Sequence, residues 1–268
     1  MRGWLAYSPD GYETNRWFAD RIAASAKKEG LDLSLKIVPD GSGLPQDPLP
    51  DFALVRTIRP DVSGWLESHG VRVFNNAEVS RTANDKWRTF LLAGELGLDV
   101  LDTALFTFPE KPHTAYPCVV KSLDGHGGKE VFMARCDADV EAIASCTGKR
   151  TFMAQEVCDE PGVDMRVYVL GGRAVAAVRR ESKTDFRSNF KLGGEVYRDS
   201  PSSAQIAAVE RLHGRLGLDF AGVDFIRHGG KWVLNEIEDV VGTRMLYATT
   251  ELDPAAMFMQ HVRKELDR

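Results

Sequence analysis

Three carboxylates sit at spacings that could bring them together. Asp224 lies in Gly222-Val223-Asp224-Phe225-Ile226, and Glu236 and Glu238 lie in Val233-Leu234-Asn235-Glu236-Ile237-Glu238. Both segments read as strands. Residues two apart on a strand share a face, so Glu236 and Glu238 point the same way. Carboxylates gathered on adjacent strands repel one another unless a cation lies between them. Hard oxygen donors of this kind suit magnesium bound to nucleotide phosphates. A solvated sheet face with scattered charge is the plain alternative, weakened by the apolar residues on both strands.

A second feature is Val119-Val120-Lys121, followed by Asp124-Gly125-His126-Gly127-Gly128-Lys129. A lysine ending an apolar strand is unfavourable unless it meets an anion. A glycine-rich loop beside it lets backbone N–H groups approach phosphate oxygens. The spacing is not that of a Walker A loop. Alone, the stretch fits a hairpin with a flexible turn equally well. A third feature is Asp185-Phe186-Arg187-Ser188-Asn189, then Lys191 and Gly193-Gly194. If extended, Arg187, Asn189 and Lys191 project together as a cationic, hydrogen-bonding face able to hold phosphoryl or carboxylate oxygens. A polar surface loop is the default for any one of them.

These residues must be positioned by alternating elements. Trp4–Tyr7, Leu33–Val38, Phe52–Val55 and Val71–Phe74 read as strands, with helices predicted over 14–29 and near 61–69 between them. Strand–helix alternation implies a parallel sheet. Pro9-Asp10-Gly11 reads as a turn, Gly30 as a helix stop, and 39–50 as a Gly- and Pro-rich loop. A helix is predicted over 84–97 with Asn84 as its N-cap. The pattern then turns to strands at 118–122 and 131–134 and a helix over 137–146. A hairpin follows around Gly171-Gly172, then a helix over 202–216, a strand pair at 220–226 and 231–237, and a last helix from Pro254.

The 268 residues suit two or three lobes. With 43% apolar and 27% charged residues the composition is that of a soluble globular chain. A net charge of -5 gives no general attraction to nucleic acid or anionic membrane, and no run of about 18 apolar residues spans a bilayer. The short apolar stretch in MRGWLAYSPDGY is not a secretory signal, so a cytoplasmic location is expected. Cys118, Cys136, Cys146 and Cys158 form no C-x-x-C pair and read as buried free thiols.

The order of these features is more specific than any of them. The lysine strand, glycine loop, Gln155-Glu156, Asp164-x-Arg166, Arg180, Asp-Phe-Arg-Ser-Asn, Gly-Val-Asp and Asn-Glu-Ile-Glu follow one another from about Asn75 to Leu246. In this the chain resembles the RimK-type branch of the ATP-grasp superfamily, whose leading helix is matched by Arg81–Thr89. The resemblance implies an ATP-grasp fold of α/β and α+β lobes behind an N-terminal parallel α/β domain. It divides the chain into 1–78, a linker region 79–115, a small ATP-grasp lobe 116–160, and a C-terminal lobe 161–268.

It also implies an ATP-dependent ligase that activates a carboxylate as an acyl phosphate and couples it to an amine. By position, Lys86 and Lys121 would contact the nucleotide. Gly125, Gly127, Gly128 and Lys129 would belong to a loop over the phosphates, and Gln155, Glu156 and Val157 would form the adenine hinge. Asp164 would lie near the ribose. Arg180, Arg187 and Asn189 would be catalytic, holding phosphate or acyl phosphate with Ser188 beside them. Asp224, Glu236 and Glu238 would bind magnesium, or manganese in its place. Arg166, Lys191 and Arg244 would meet the substrate. The expected partner is a small molecule, peptide or protein tail, with no nucleic acid or membrane, and a homodimer is consistent with the superfamily. Replacing Asp224 or Glu236 should abolish turnover and leave the fold intact.

The chain departs from the family at Glu238, where Asn is usual, and in Asp239-Val240-Val241-Gly242-Thr243-Arg244, where Ser-x-Pro-Gly-like residues are usual. A nucleotide-binding domain without catalysis and an ATP-grasp kinase are the competing readings.

Overall fold

The computed structural model describes residues 1–43, 45, 47–125, 127–187 and 194–268. Its first sheet is built from β1 (Arg2–Tyr7), α1 (Pro9–Lys28), β2 (Asp32–Ile37), β3 (Phe52–Val55), α2 (Pro60–Ser68) and β4 (Arg72–Phe74). The strands run parallel in the order β2-β1-β3-β4. β3 is buried along its whole length, as a central parallel strand must be. α1 starts earlier than the apolar spacing predicts. Ser8 is its N-cap, accepting from the Gly11 N–H at 3.2 Å, and Pro9 opens the first turn, so Pro9-Asp10-Gly11 is helix rather than turn.

The predicted helix over 84–97 is two helices, α3 (Ala77–Ala83) and α4 (Lys86–Glu95). Asn84 ends α3 instead of opening α4. The N-cap of α4 is Asp85, whose carboxylate accepts from the N–H groups of Trp87 and Arg88, both at 3.0 Å. Then come β5 (Thr103–Thr107), β6 (Cys118–Ser122), β7 (Val131–Ala134), α5 (Asp137–Thr147) and β8 (Thr151–Glu156), which form an antiparallel sheet ordered β5-β8-β6-β7. β5, from the segment read as linker, is an edge strand of this sheet.

The third sheet takes β9 (Val163–Leu170), β10 (Arg173–Glu181), β11 (Glu195–Asp199), β12 (Phe220–His228) and β13 (Lys231–Glu238), ordered β11-β10-β9-β12-β13. The β9–β10 hairpin turns on Gly171 and Gly172, at φ 54° and 76°, where a side chain would be strained. α6 (Ser203–Leu216), α7 (Arg244–Thr249) and α8 (Pro254–Leu266) complete the chain.

Two cores fix the frame around the site. One joins Leu5, Phe18, Ile22 and Leu54 of the first sheet and its helix to Tyr168, Phe220, Phe258 and Val262. Burial of each such large side chain stabilises by about 1.5–3 kcal/mol, so the N-terminal sheet is tied firmly to the third sheet and α8. The other core packs Leu92 of α4 and Leu212 of α6 against Val167 and Val223. The second sheet has its own smaller core of Phe106, Val120, Ile143 and Phe152. Of the cysteines read as buried, Cys118 is buried and Cys158 partly so, whereas Cys136 and Cys146 are exposed; all four are free thiols. Among the described residues no helix is long and apolar enough to cross a membrane.

Candidate active site

Strand register gathers the charged residues. On β9, Asp164 and Arg166 are two apart and share a face. Arg180 of β10 lies opposite Asp164, Asp224 of β12 opposite Arg166, and Glu236 of β13 opposite Asp224. The result is a row of charged groups across the third sheet, buried at Arg180, Asp164, Arg166 and Asp224 and partly exposed at Glu236. Arg166 Nε and Nη2 donate to the two Asp224 oxygens at 2.7 Å each, and Nη2 also donates to Glu238 at 2.6 Å. Arg180 donates to both Asp164 oxygens and to Asp224 Oδ2, the last at 2.6 Å.

Burial alone would raise the Asp224 carboxyl, but Arg166 and Arg180 overcome it and hold it below the usual carboxylate range. Glu238 goes the other way: burial, with Asp224 and Glu236 alongside, pushes its carboxyl up. One oxygen from each of Asp224, Glu236 and Glu238 lies within 4.8 Å of the others. These are hard donors with more negative charge than the two arginines balance. The donor set therefore fits a divalent cation such as magnesium.

Facing this row, β6 presents Lys121, 8% exposed. Its Nζ donates to Gln155 Oε1 at 2.7 Å and to Asn235 Oδ1 at 3.0 Å. No carboxylate lies within ion-pair distance among the described residues. Burial lowers its ammonium to about 8, helped by Lys86 and opposed by Glu236. A buried cation held by two neutral acceptors is ready for an anion. Lys86, at the start of α4, stands 4.0 Å from Glu236 and donates to the Gly125 carbonyl. Arg187 is held by Asp185 and donates from Nη1 to the Gly128 carbonyl at 3.0 Å. Two cations thus pin the glycine loop at both ends.

One cleft of about 420 Å³ takes in Lys86, Lys121, Gly125, Gly127, Gly128, Gln155, Glu156, Val157, Asp164, Arg166, Arg180, Arg187, Glu236, Glu238 and Arg244. Asp224 lies beneath its floor, fully buried. At the hinge, Glu156 Oε1 accepts from the Asp102 N–H at 2.8 Å. Lys129 is exposed and does not line the cleft. Ser188, Asn189 and Lys191 lie outside the described residues. Asp164, read as lying near the ribose, is paired with Arg180. Arg166, read as a substrate contact, lines the cleft and is engaged by Asp224 and Glu238. Sequence reasoning missed Asn235 and Asp185, whose work is to hold Lys121 and Arg187; Asn235 carries a signal in hindsight, since it adjoins Glu236.

The description "RimK-like ATP-grasp domain" matches residues 83–262. A "Probable alpha-L-glutamate ligase" of Pasteurella multocida (strain Pm70) is 30% identical over 210 residues, covering 75% of this chain and 67% of that protein. The crystal structure of a RimK domain ATP-grasp protein from Sphaerobacter thermophilus DSM 20745 superposes with a TM-score of 0.77 at 21% identity, covering 98% of this chain and 99% of that one. A D-alanine–D-alanine ligase from Bacillus anthracis, crystallised with ATP, superposes at 0.71 with 14% identity, covering 99% of each chain. These two share the fold. With the family match running through the strands that line this cleft, the chain belongs to the RimK-like ATP-grasp family of ATP-dependent carboxylate–amine ligases.

Proposed function

We propose that this chain adds an amino acid, through its amine, to the carboxylate of a second amino acid, a peptide or a protein tail. The γ-phosphoryl group of ATP passes to that carboxylate, the amine displaces phosphate, and ADP and phosphate leave. The carrying observation is the meeting of Asp224, Glu236 and Glu238 with Lys121 in one cleft. L-Glutamate is the first amine to try, because the Pasteurella relative is named for it.

In this reading Lys121 and Lys86 hold the nucleotide phosphates. Gln155, Glu156 and Val157 hold the adenine, and Asp164 lies towards the ribose, anchored through Arg180. When bound, magnesium held by Asp224, Glu236 and Glu238 supplies charge neutralisation between phosphate oxygens. Arg180 and Arg187 hold the transferring group and Arg244 the substrate; Ser188, Asn189 and Lys191 are assigned to the same work from sequence alone. Arg187 and Lys86 draw the glycine loop over the phosphates and exclude water, which would hydrolyse an activated carboxylate. Manganese can replace magnesium in such an oxygen site. No side-chain nucleophile is required, since positioning and electrostatics carry the reaction. The protein acts in the cytoplasm, as a monomer or homodimer, without nucleic acid or membrane.

The test is a panel of acids and amines assayed for ADP, with mass spectrometry of the product. ADP formed together with an amide, dependent on both substrates, supports the proposal. A stable phosphorylated product without amide points to a kinase. ATP binding without ADP across the panel points to a regulatory domain.

A further inference from the structure

Arg56 follows β3 in the N-terminal unit and lines the same cleft. It is 7% exposed, and among the described residues its guanidinium makes one hydrogen bond, from Nη2 to the Val241 carbonyl at 2.8 Å. Nε is buried with no partner. A guanidinium has five N–H donors, so this one has donors to spare among the described residues. No carboxylate lies within 4.0 Å of it among the described residues. Asp239 feels its charge through space but gives its own oxygens to Asn75, at 2.9 Å, and Asn84, at 3.4 Å. The rings of Phe18 and Phe220 lie 5.4 and 5.9 Å from the guanidinium carbon and supply only weak compensation. Also in the cleft lining, the Thr243 hydroxyl is buried with no hydrogen-bond partner among the described residues. The adjoining Arg244 is exposed, with its guanidinium over Trp17 and donating to the Thr14 carbonyl.

An under-used buried guanidinium and an unpartnered hydroxyl on a cleft wall form a receptor for a planar anion. The wall also carries Phe18, Ile58 and Met245, which suits an anion borne on a carbon chain. Val241, which holds Arg56, is three residues after Glu238, so the two ends lie within roughly 10 Å along the chain. A substrate reacting beside Glu238 would thus present its tail to Arg56.

We propose that Arg56, with Thr243 and Arg244, binds a free substrate carboxylate other than the one being activated, and so selects substrates that keep such a group. If Arg56 merely ties the N-terminal unit to Val241, acid and amide substrates are bound alike. The proposal rests on the ligase reading, and the test separates the two.

The probes are Mg·AMPPNP, then L-glutamate and the other standard L-amino acids, each compared with its α-amide by calorimetry on the nucleotide-loaded protein. The expected result has three parts. At least one amino acid binds the wild type about tenfold tighter than its amide. R56Q and T243V reduce that preference, R56Q to near unity, while R56K retains part of it. All three bind Mg·AMPPNP as the wild type does, which also shows that they fold. Binding of Mg·AMPPNP with no acid preference in the wild type, with no amino acid bound, or with the preference intact in R56Q and T243V overturns the Arg56 proposal and leaves the ligase reading standing. Failure of the wild type to bind Mg·AMPPNP overturns both.

Discussion

Arg166 is shared between two carboxylates: its Nη2 lies 2.7 Å from Asp224 Oδ2 and 2.6 Å from Glu238 Oε1. An Asn at position 238, as the resemblance leads one to expect, could not form this charged bridge. Glu238 therefore adds negative charge to the proposed cation site and an arginine contact at the same time. E238N removes one anionic donor, and cation affinity follows ligand charge. We expect the magnesium requirement for ADP formation to rise by about tenfold, with direct manganese binding weakened in parallel. Titration of both metals against E238N and wild type checks this. An unchanged requirement would remove Glu238 from the donor set.

Asp224 and Glu236 should behave differently, contrary to the expectation from sequence that both replacements spare the fold. Asp224 is fully buried and faces two buried arginines, whereas the Glu236 side chain is 32% exposed. Removing one partner from a buried ionic network leaves uncompensated charge. D224N should lower the melting temperature by roughly 5–10 °C as well as abolish ADP formation. E236Q should abolish ADP formation with the melting temperature within about 2 °C of wild type. Paired calorimetric melts and ADP assays decide; equal melting temperatures would contradict the buried network.

Much of the site is legible in sequence because its motifs are local. The Gly-Val-Asp and Asn-Glu-Ile-Glu strands, the lysine strand and the glycine loop each declare themselves by spacing of two or by glycine density. What escapes is held by long-range pairing. Arg56 meets Val241 across 185 positions, and nothing around Val55-Arg56-Thr57 marks a cleft residue. Arg166 and Arg180 read as free cations until register sets them against Asp224 and Asp164. β5 and β8 carry weak alternation and form by long-range pairing, β5 with β8 and β8 also with β6. The α3–α4 break hides because Asn84 and Asp85 are both good caps, and side-chain geometry alone gives Asp85 the role.

With Lys121 holding phosphate, as proposed, nucleotide binding should be pH-dependent. Burial brings its ammonium down to about 8 in the free protein. The charged form binds phosphate, so below pH 8 the protein is ready, and above it a proton must be taken up on binding. The Kd for Mg·AMPPNP should rise above pH 8 by up to about tenfold per pH unit. The stability sign is opposite: burying the charged form is unfavourable below pH 8, and that penalty fades as pH rises towards the free lysine value. K121R should bind with a flat profile between pH 7 and 9.5. Calorimetric Kd values across that range test it, and a wild-type profile as flat as K121R would show that Lys121 does not meet the phosphates.

The glycine loop gives the remaining prediction. Arg187 reaches across to the Gly128 carbonyl while Asp185 holds its guanidinium, and its side chain is 30% exposed. It can be removed without opening a core. R187A should leave the melting temperature within about 2 °C of wild type. It loses both charge stabilisation of the transferring group and one tether of the loop. The first loss lowers kcat by about 100- to 1000-fold. The second admits water to the activated carboxylate, so the ADP formed should exceed the amide formed. Lys86 pins the other end of the loop at Gly125, so K86A should raise the same ratio. Measuring ADP and amide in one reaction separates the two roles of Arg187: a slower enzyme with a ratio still near one would keep the charge role and discard the tether.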